Sequence, residues 1–270
     1  MLEPRPSSAL VVLPSPDPGG SGGSERRRSA PWKWQLANAV RSASELSARV
    51  QLTPEELAGA ERSERQGFPF GITPYYLSLV DPLDAACPIR RQVVPHRLEG
   101  ETTRGDLVDP LGEEAHEVAP DLVQRYPDRA LVLATDRCAV YCRFCTRSRM
   151  VGGGSGTRSL EHLGPAFDYL AAHPEIRDVI VSGGDPLTLA TERLVQVVAG
   201  LRAIESIETI RLATRVPVVL PQRITGELLR ALAPLHPLWV MTHFNHPKEL
   251  TPIACRGLER LANAGFPVMN

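Results

Sequence analysis

From Tyr126 to Asn270 the chain repeats one texture: a short, largely apolar run, then a longer stretch with helical spacing. The runs are Ala130–Thr135, Val179–Val181, Thr209–Ala213, Leu238–Thr242 and Phe266–Met269. Between them lie the helical stretches Leu160–His173, Leu194–Ile204, Thr225–Ala233 and Pro252–Ala264, with Thr225 a natural cap. Nothing else in the sequence restricts the fold so strongly. Apolar strands that alternate with helices predict a parallel sheet covered on both faces. Parallel neighbours need crossover connections, which are right-handed. The fifth run is cut short, so a closed parallel barrel would be left with an open edge.

The rest of the chain divides by texture. Residues 1–30 are rich in Pro, Gly and Ser and end in Glu25-Arg26-Arg27-Arg28. Such a segment buries too little apolar area to offset its ordering entropy, so it reads as disordered, with Arg26–Arg28 a solvated run. Residues 31–125 read as a helical and irregular wrapping region. Within it, Thr53-Pro54-Glu55-Glu56 has the form of an N-cap, a first-turn proline and a capping-box glutamate. Residues 66–125 carry many prolines and few periodic runs, and read as irregular. Residues 126–270 form the sheet-bearing region. The net charge of −1 gives no basic bias toward nucleic acid, and no apolar stretch approaches a membrane span. The five cysteines are an odd number without a secretory leader, which argues for a reducing cytoplasm and against a disulfide scaffold.

Three of those cysteines, Cys138, Cys142 and Cys145, fall within eight residues directly after the first apolar strand. The spacing brings three thiolates to one loop and one metal centre. Structural zinc asks for four closed ligands, usually as two separated pairs, and no second pair is present. Three cysteines without a fourth suit a 4Fe-4S cluster with one iron left open. A zinc module or three structural thiols remain as alternatives. The second apolar strand runs into Ser182-Gly183-Gly184-Asp185-Pro186, where two glycines allow a ligand close to the backbone. Taken alone, that segment is also an ordinary strand-to-helix turn.

The aromatic residues Tyr141 and Phe144, set before the second and third cysteines, complete a pattern that resembles the radical S-adenosylmethionine (SAM) superfamily. There, three cysteines hold the cluster and SAM occupies the fourth iron. By the same resemblance, Ser182, Gly183, Gly184 and Asp185 correspond to the segment that contacts the SAM amino group. Further motifs narrow the likeness: Tyr126-Pro127-Asp128-Arg129, the Cys138–Arg149 segment, Arg215–Thr225, Thr242–Pro247 and Leu261–Gly265. Upstream, Ile72–Leu77 and Asp109-Pro110-Leu111 fit as well. From about Trp32 to Asn270 the sequence is similar to the lysine 2,3-aminomutase family.

That resemblance implies a partial (β/α)6-type radical SAM barrel, truncated in its fifth strand and preceded by a small helical N-terminal region. It implies three cofactors: a 4Fe-4S cluster, SAM and pyridoxal 5'-phosphate (PLP). The reaction it implies converts L-lysine to β-lysine. It assigns Cys138, Cys142 and Cys145 to the cluster and His243, at the end of the fourth strand, to SAM. It assigns Arg147 to the substrate carboxylate, a role that suits the bidentate guanidinium fork. Arg125, Tyr126 and Arg129 fall to the PLP phosphate. Arg143 and Arg149, on either side of Arg147, read as solvated charge. The partners implied are a small amino acid and an electron donor such as flavodoxin or ferredoxin, with a homo-oligomer left open.

The sequence also departs from the family. The family's PLP lysine lies in a glycine-rich stretch beyond the position of residue 270, so no catalytic residue is identified in this chain. Only Lys33 and Lys248 are available, and neither matches. The acidic residues that hold the substrate's side chain also lie downstream. The chain therefore reads as a C-terminally truncated form. Sister mutases acting on glutamate, arginine or a lysine of elongation factor P are alternatives, as is a non-catalytic iron–sulfur or zinc-binding fragment.

Overall fold

The computed structural model describes residues 31–66, 68–153 and 158–270, so the expected disorder of residues 1–30 lies outside the described residues. A seven-stranded sheet in sequence order organises the fold. It comprises β1 (Glu117–Ala119), β2 (Leu122–Tyr126), β3 (Arg129–Thr135), β4 (Asp178–Gly183), β5 (Thr209–Ala213), β6 (Leu238–Met241) and β7 (Val268–Met269). From β3 to β7 every pairing is parallel. The sheet does not close, as expected of a partial radical SAM-type barrel.

The helices are α1 (Trp32–Ala37), α2 (Ala43–Ser47), α3 (Pro54–Arg65), α4 (Pro74–Leu77), α5 (Arg90–Val93), α6 (Leu160–Ala172), α7 (Thr191–Arg202), α8 (Val216–Val219), α9 (Gly226–Leu232) and α10 (Pro252–Asn263). Local chemistry sets their ends. The Thr53 hydroxyl accepts the Glu56 N–H while the Glu56 carboxylate accepts the Thr53 N–H, which completes the capping box of α3. Thr225 caps α9 by accepting from the Leu228 N–H.

Two features differ from the sequence reading. The first is a hairpin. β1 and β2 pair antiparallel, and β2 pairs antiparallel with β3, so the sheet begins at Glu117 inside the stretch read as irregular. Asp121 makes the turn with a positive φ of 59°. The second concerns the two faces. Ala130, Val132, Val179, Val181, Ile210, Leu212, Leu238 and Val240 are buried and join the apolar residues of α6, α7 and α9 in one core. Their neighbours along the strands, Leu131, Ile180, Arg211 and Trp239, align across the register and are only half-buried. One face is thus covered by helices, and the other is the concave inner wall of the open sheet. Barrel walls are layered in this way by residues from neighbouring strands.

Polar contacts fasten the wrapping region to α8 and brace it internally. The Thr73 hydroxyl donates to the Val219 carbonyl at 2.8 Å. The Arg90 side chain is fully buried, and its guanidinium donates to both Glu56 carboxylate oxygens at 2.8 and 2.6 Å and to the Gln51 carbonyl at 2.6 Å.

Candidate active site

The cysteine loop leaves the C-terminal end of β3, the end at which parallel sheets carry their sites. It has no regular structure of its own and is held from outside. The Tyr141 N–H donates to the Gly71 carbonyl at 3.2 Å, and the Arg143 N–H donates to the Gln92 carbonyl at 2.8 Å. The arginines read as solvated charge are ion-paired instead. Arg143 pairs with Glu99, donates to the Pro69 carbonyl at 2.9 Å and lies over the Phe68 ring. Arg149 pairs with Asp109, Glu113 and Glu114. Partners 35 to 44 residues upstream supply these carboxylates, so spacing near the motif could not reveal them.

Cys138, Cys142 and Cys145 are free and half-buried. Burial pushes all three thiols up, and each of Cys142 and Cys145 adds to the rise at Cys138, so the three sulfurs feel one another. Bare thiols here are protonated, and a metal that binds must displace their protons. Among the described residues no three His, Cys, Asp or Glu side chains are grouped to hold a single ion. A four-iron cluster takes one thiolate at each of three irons, and one loop whose three thiols act on one another is compatible with it.

The Ser182–Asp185 segment closes against the start of the same loop. The Gly184 N–H donates to the Thr135 carbonyl at 2.6 Å, and the Asp185 N–H donates to the Arg137 carbonyl at 2.8 Å. A Cβ on Gly183, where φ is +105°, would lie 2.3 Å from the Thr135 oxygen. One on Gly184 would lie 2.3 Å from the Arg137 oxygen. The glycines therefore admit the protein's own backbone, a reason that the ligand-approach argument from sequence missed. Asp185 is buried, and its carboxylate is already committed. It accepts from the Thr214 hydroxyl at 2.6 Å, the Leu187 N–H at 3.0 Å and the Arg215 N–H at 2.7 Å. Burial still pushes it above the ordinary carboxylate range.

His243 is exposed just past β6, and its ring meets Phe144 of the cysteine loop edge-on at 5.6 Å. Partial burial and then the Arg215 charge hold its pKa below the ordinary value, which keeps the ring neutral at pH 7. Arg147 pairs with Glu113 at 2.7 Å, and its Nη1 donates to the Ser182 hydroxyl at 3.3 Å. Its guanidinium thereby ties the cysteine loop to the end of β4. It also lines a cavity of about 190 Å³ on the concave wall, together with Glu113, Arg125, Tyr126, Arg129 and Ile180. Arg125 donates to the Leu111 carbonyl at 3.0 Å, and Arg129 pairs with Asp178 at 2.7 Å beneath the Tyr126 ring. Neither lysine of the chain lines this cavity. The sequence reading named Arg147 but missed Glu113, and it quoted Arg215 in a motif without giving it a role.

Comparison with known proteins decides the lineage of this site. The family model described as the radical SAM superfamily matches residues 132–269, just over half of the chain. The chain belongs to the radical SAM superfamily. Its similarity extends to an L-lysine 2,3-aminomutase of Clostridium subterminale, 44% identical over 239 residues, which are 88% of this chain and 57% of that protein. The L-lysine 2,3-aminomutase of Bacillus subtilis is 44% identical, over 88% of this chain and 50% of its own length. A glutamate 2,3-aminomutase of Clostridioides difficile is 41% identical, over 88% and 56%. The chain spans about half the length of these curated relatives. The radical SAM match takes in the cysteine loop, Ser182–Asp185 and His243, whereas Arg125, Tyr126 and Arg129 precede it.

Proposed function

We propose that this chain carries the cluster and SAM site of a radical SAM, PLP-dependent 2,3-aminomutase acting on a free amino acid, with L-lysine the favoured substrate. One observation carries the reading: the Arg147 guanidinium reaches Ser182 and also lines the arginine-walled cavity, so three candidate sites adjoin. Bound together, a cluster, SAM and PLP supply radical migration of an amino group, chemistry that no side chain offers.

The chain's own residues would hold and orient these groups. Cys138, Cys142 and Cys145 would each take one iron. Asp185 is saturated by internal donors, so the Ser182–Asp185 segment would meet SAM through its backbone. His243 offers a neutral ring on the same side of the cysteine loop. Arg147 would hold a substrate carboxylate in a bidentate grip, and Arg125, Tyr126 and Arg129 would hold the PLP phosphate. An external one-electron donor of the flavodoxin or ferredoxin type and a reducing cytoplasm complete the reading. The glutamate 2,3-aminomutase relative, only slightly less identical, favours glutamate as the second substrate.

The test is anaerobic reconstitution of the 270-residue chain with iron and sulfide, then addition of SAM. The expected result is a four-iron cluster whose reduced-state EPR signal changes with SAM. A chain that binds one zinc, or whose cluster ignores SAM, overturns the proposal.

A further inference from the structure

Arg215 is the most heavily engaged charge beside the cysteine loop. Its side chain is 10% exposed. One nitrogen, Nη1, donates to the Cys142 sulfur at 2.8 Å. The other, Nη2, donates to Gln92 Oε1 at 2.6 Å, to Glu249 Oε1 at 2.8 Å and to the Tyr76 hydroxyl oxygen at 3.2 Å. Nε donates to the His243 carbonyl at 3.2 Å. Its guanidinium carbon also lies 5.3 Å from the centre of the Phe144 ring.

The counter-charge is built with equal care. Glu249 is fully buried and accepts from the Tyr76 hydroxyl at 2.5 Å and from the Asn245 N–H at 2.6 Å. Asn245 Nδ2 donates in turn to Gln92 Oε1 at 3.0 Å. A buried ion pair is costly to desolvate, and it is tolerated when its remaining valences are met, as here. A buried pair that spends one of its five N–H groups on a cysteine sulfur suggests a purpose at that sulfur.

We infer that Arg215 is a positioning residue for the cluster, setting its reduction potential through the hydrogen bond to Cys142, with Glu249 as the counter-charge that limits the effect. The inference rests on the cluster reading proposed above. Hydrogen bonds to cluster sulfurs and net charge nearby are among the determinants of such potentials. Reduction adds one electron from the donor to the cluster and so adds one negative charge. A guanidinium on a ligating sulfur stabilises that added charge and makes the cluster easier to reduce. The carboxylate of Glu249 opposes it. The two residues should therefore shift the potential in opposite directions, whereas two merely structural residues would show no such sign pattern.

The experiment is an EPR-monitored redox titration of the reconstituted chain, using mediators and a chemical reductant. The expected results are a more negative potential for Arg215→Met, an intermediate one for Arg215→Lys, and a more positive one for Glu249→Gln. If Arg215→Met loads the cluster and keeps the wild-type potential, the inference falls. If Arg215→Met fails to load, Glu249→Gln decides: a positive shift supports the inference and an unchanged potential overturns it. A wild-type chain that binds no four-iron cluster overturns both this inference and the reading beneath it, whereas a normal wild-type cluster with unshifted variants removes this inference alone.

Discussion

Gly184→Ala is the substitution whose cost follows most directly from the structure. A Cβ there would stand 2.3, 2.7 and 2.8 Å from the Arg137 oxygen, carbon and nitrogen. Favourable contacts of a carbon atom lie at about 3.5–4.0 Å, so the backbone at Arg137 must retreat by roughly an ångström. The Asp185 N–H···O=C Arg137 bond, now 2.8 Å, would then stretch out of hydrogen-bonding range, and the Gly184–Thr135 bond would be strained with it. Overpacking costs about 1–3 kcal/mol, and each backbone bond lost costs about 0.5–1.5 kcal/mol. The variant should be about 2–6 kcal/mol less stable, a large share of a domain's usual margin. Because Arg137 adjoins Cys138, the displacement also carries a proposed cluster ligand. Gly257→Ala is the internal control: its Cβ would meet Ile224 and Pro221 at an ordinary 3.7 Å within α10. That change should stabilise by about 0.5–1 kcal/mol. The assays are denaturant unfolding of the metal-free chain and iron content after reconstitution. Gly184→Ala with wild-type stability and full iron would refute the reasoning, since it would show that the loop yields freely to the strand end.

Other outcomes follow from the same contacts. Arg90→Met leaves the Glu56 carboxylate buried without its partner and should cost about 3–5 kcal/mol in denaturant unfolding. Burial alone would raise the Glu56 pKa, but Arg90 and the Thr53 N–H outweigh it and hold it below the ordinary value. Its stabilisation is therefore complete above the unfolded value of 4.5 and is lost as pH falls through the lower folded value. Acid unfolding curves should show that loss in the wild type, and Arg90→Met should flatten it. Serine at Cys138, Cys142 or Cys145 should cut bound iron severely, while Cys255→Ser on α10 should leave iron content unchanged, as measured by metal analysis. Thr53→Ala should cost about 1 kcal/mol through loss of the capping box, visible as a lower melting temperature.

What the sequence revealed was local. The caps at Thr53 and Thr225, the apolar strands and the cysteine spacing depend on neighbours a few residues apart, and the structure contains the elements they imply. The β1–β2 hairpin escaped because prolines dominate the texture around it and its turn residue is a non-glycine with positive φ. The concave face escaped because strand residues that look uniformly apolar include Ile180 and Leu131, which line an open wall. Arg215 escaped for another reason. Its partners lie 34 to 139 residues away, so only the folded chain brings Tyr76, Gln92, Cys142 and Glu249 to one guanidinium. The same distance hid the carboxylates that anchor Arg143, Arg147 and Arg149.

The central claim is that three cysteines on one loop hold a cluster with an open iron. The most direct measurement is the iron and sulfide content of the anaerobically reconstituted chain, with EPR of the reduced sample before and after SAM. The account predicts about four iron and four sulfide per chain, the stoichiometry of a 4Fe-4S centre, and a spectrum that changes when SAM is added. One zinc per chain, or a cluster blind to SAM, would contradict it.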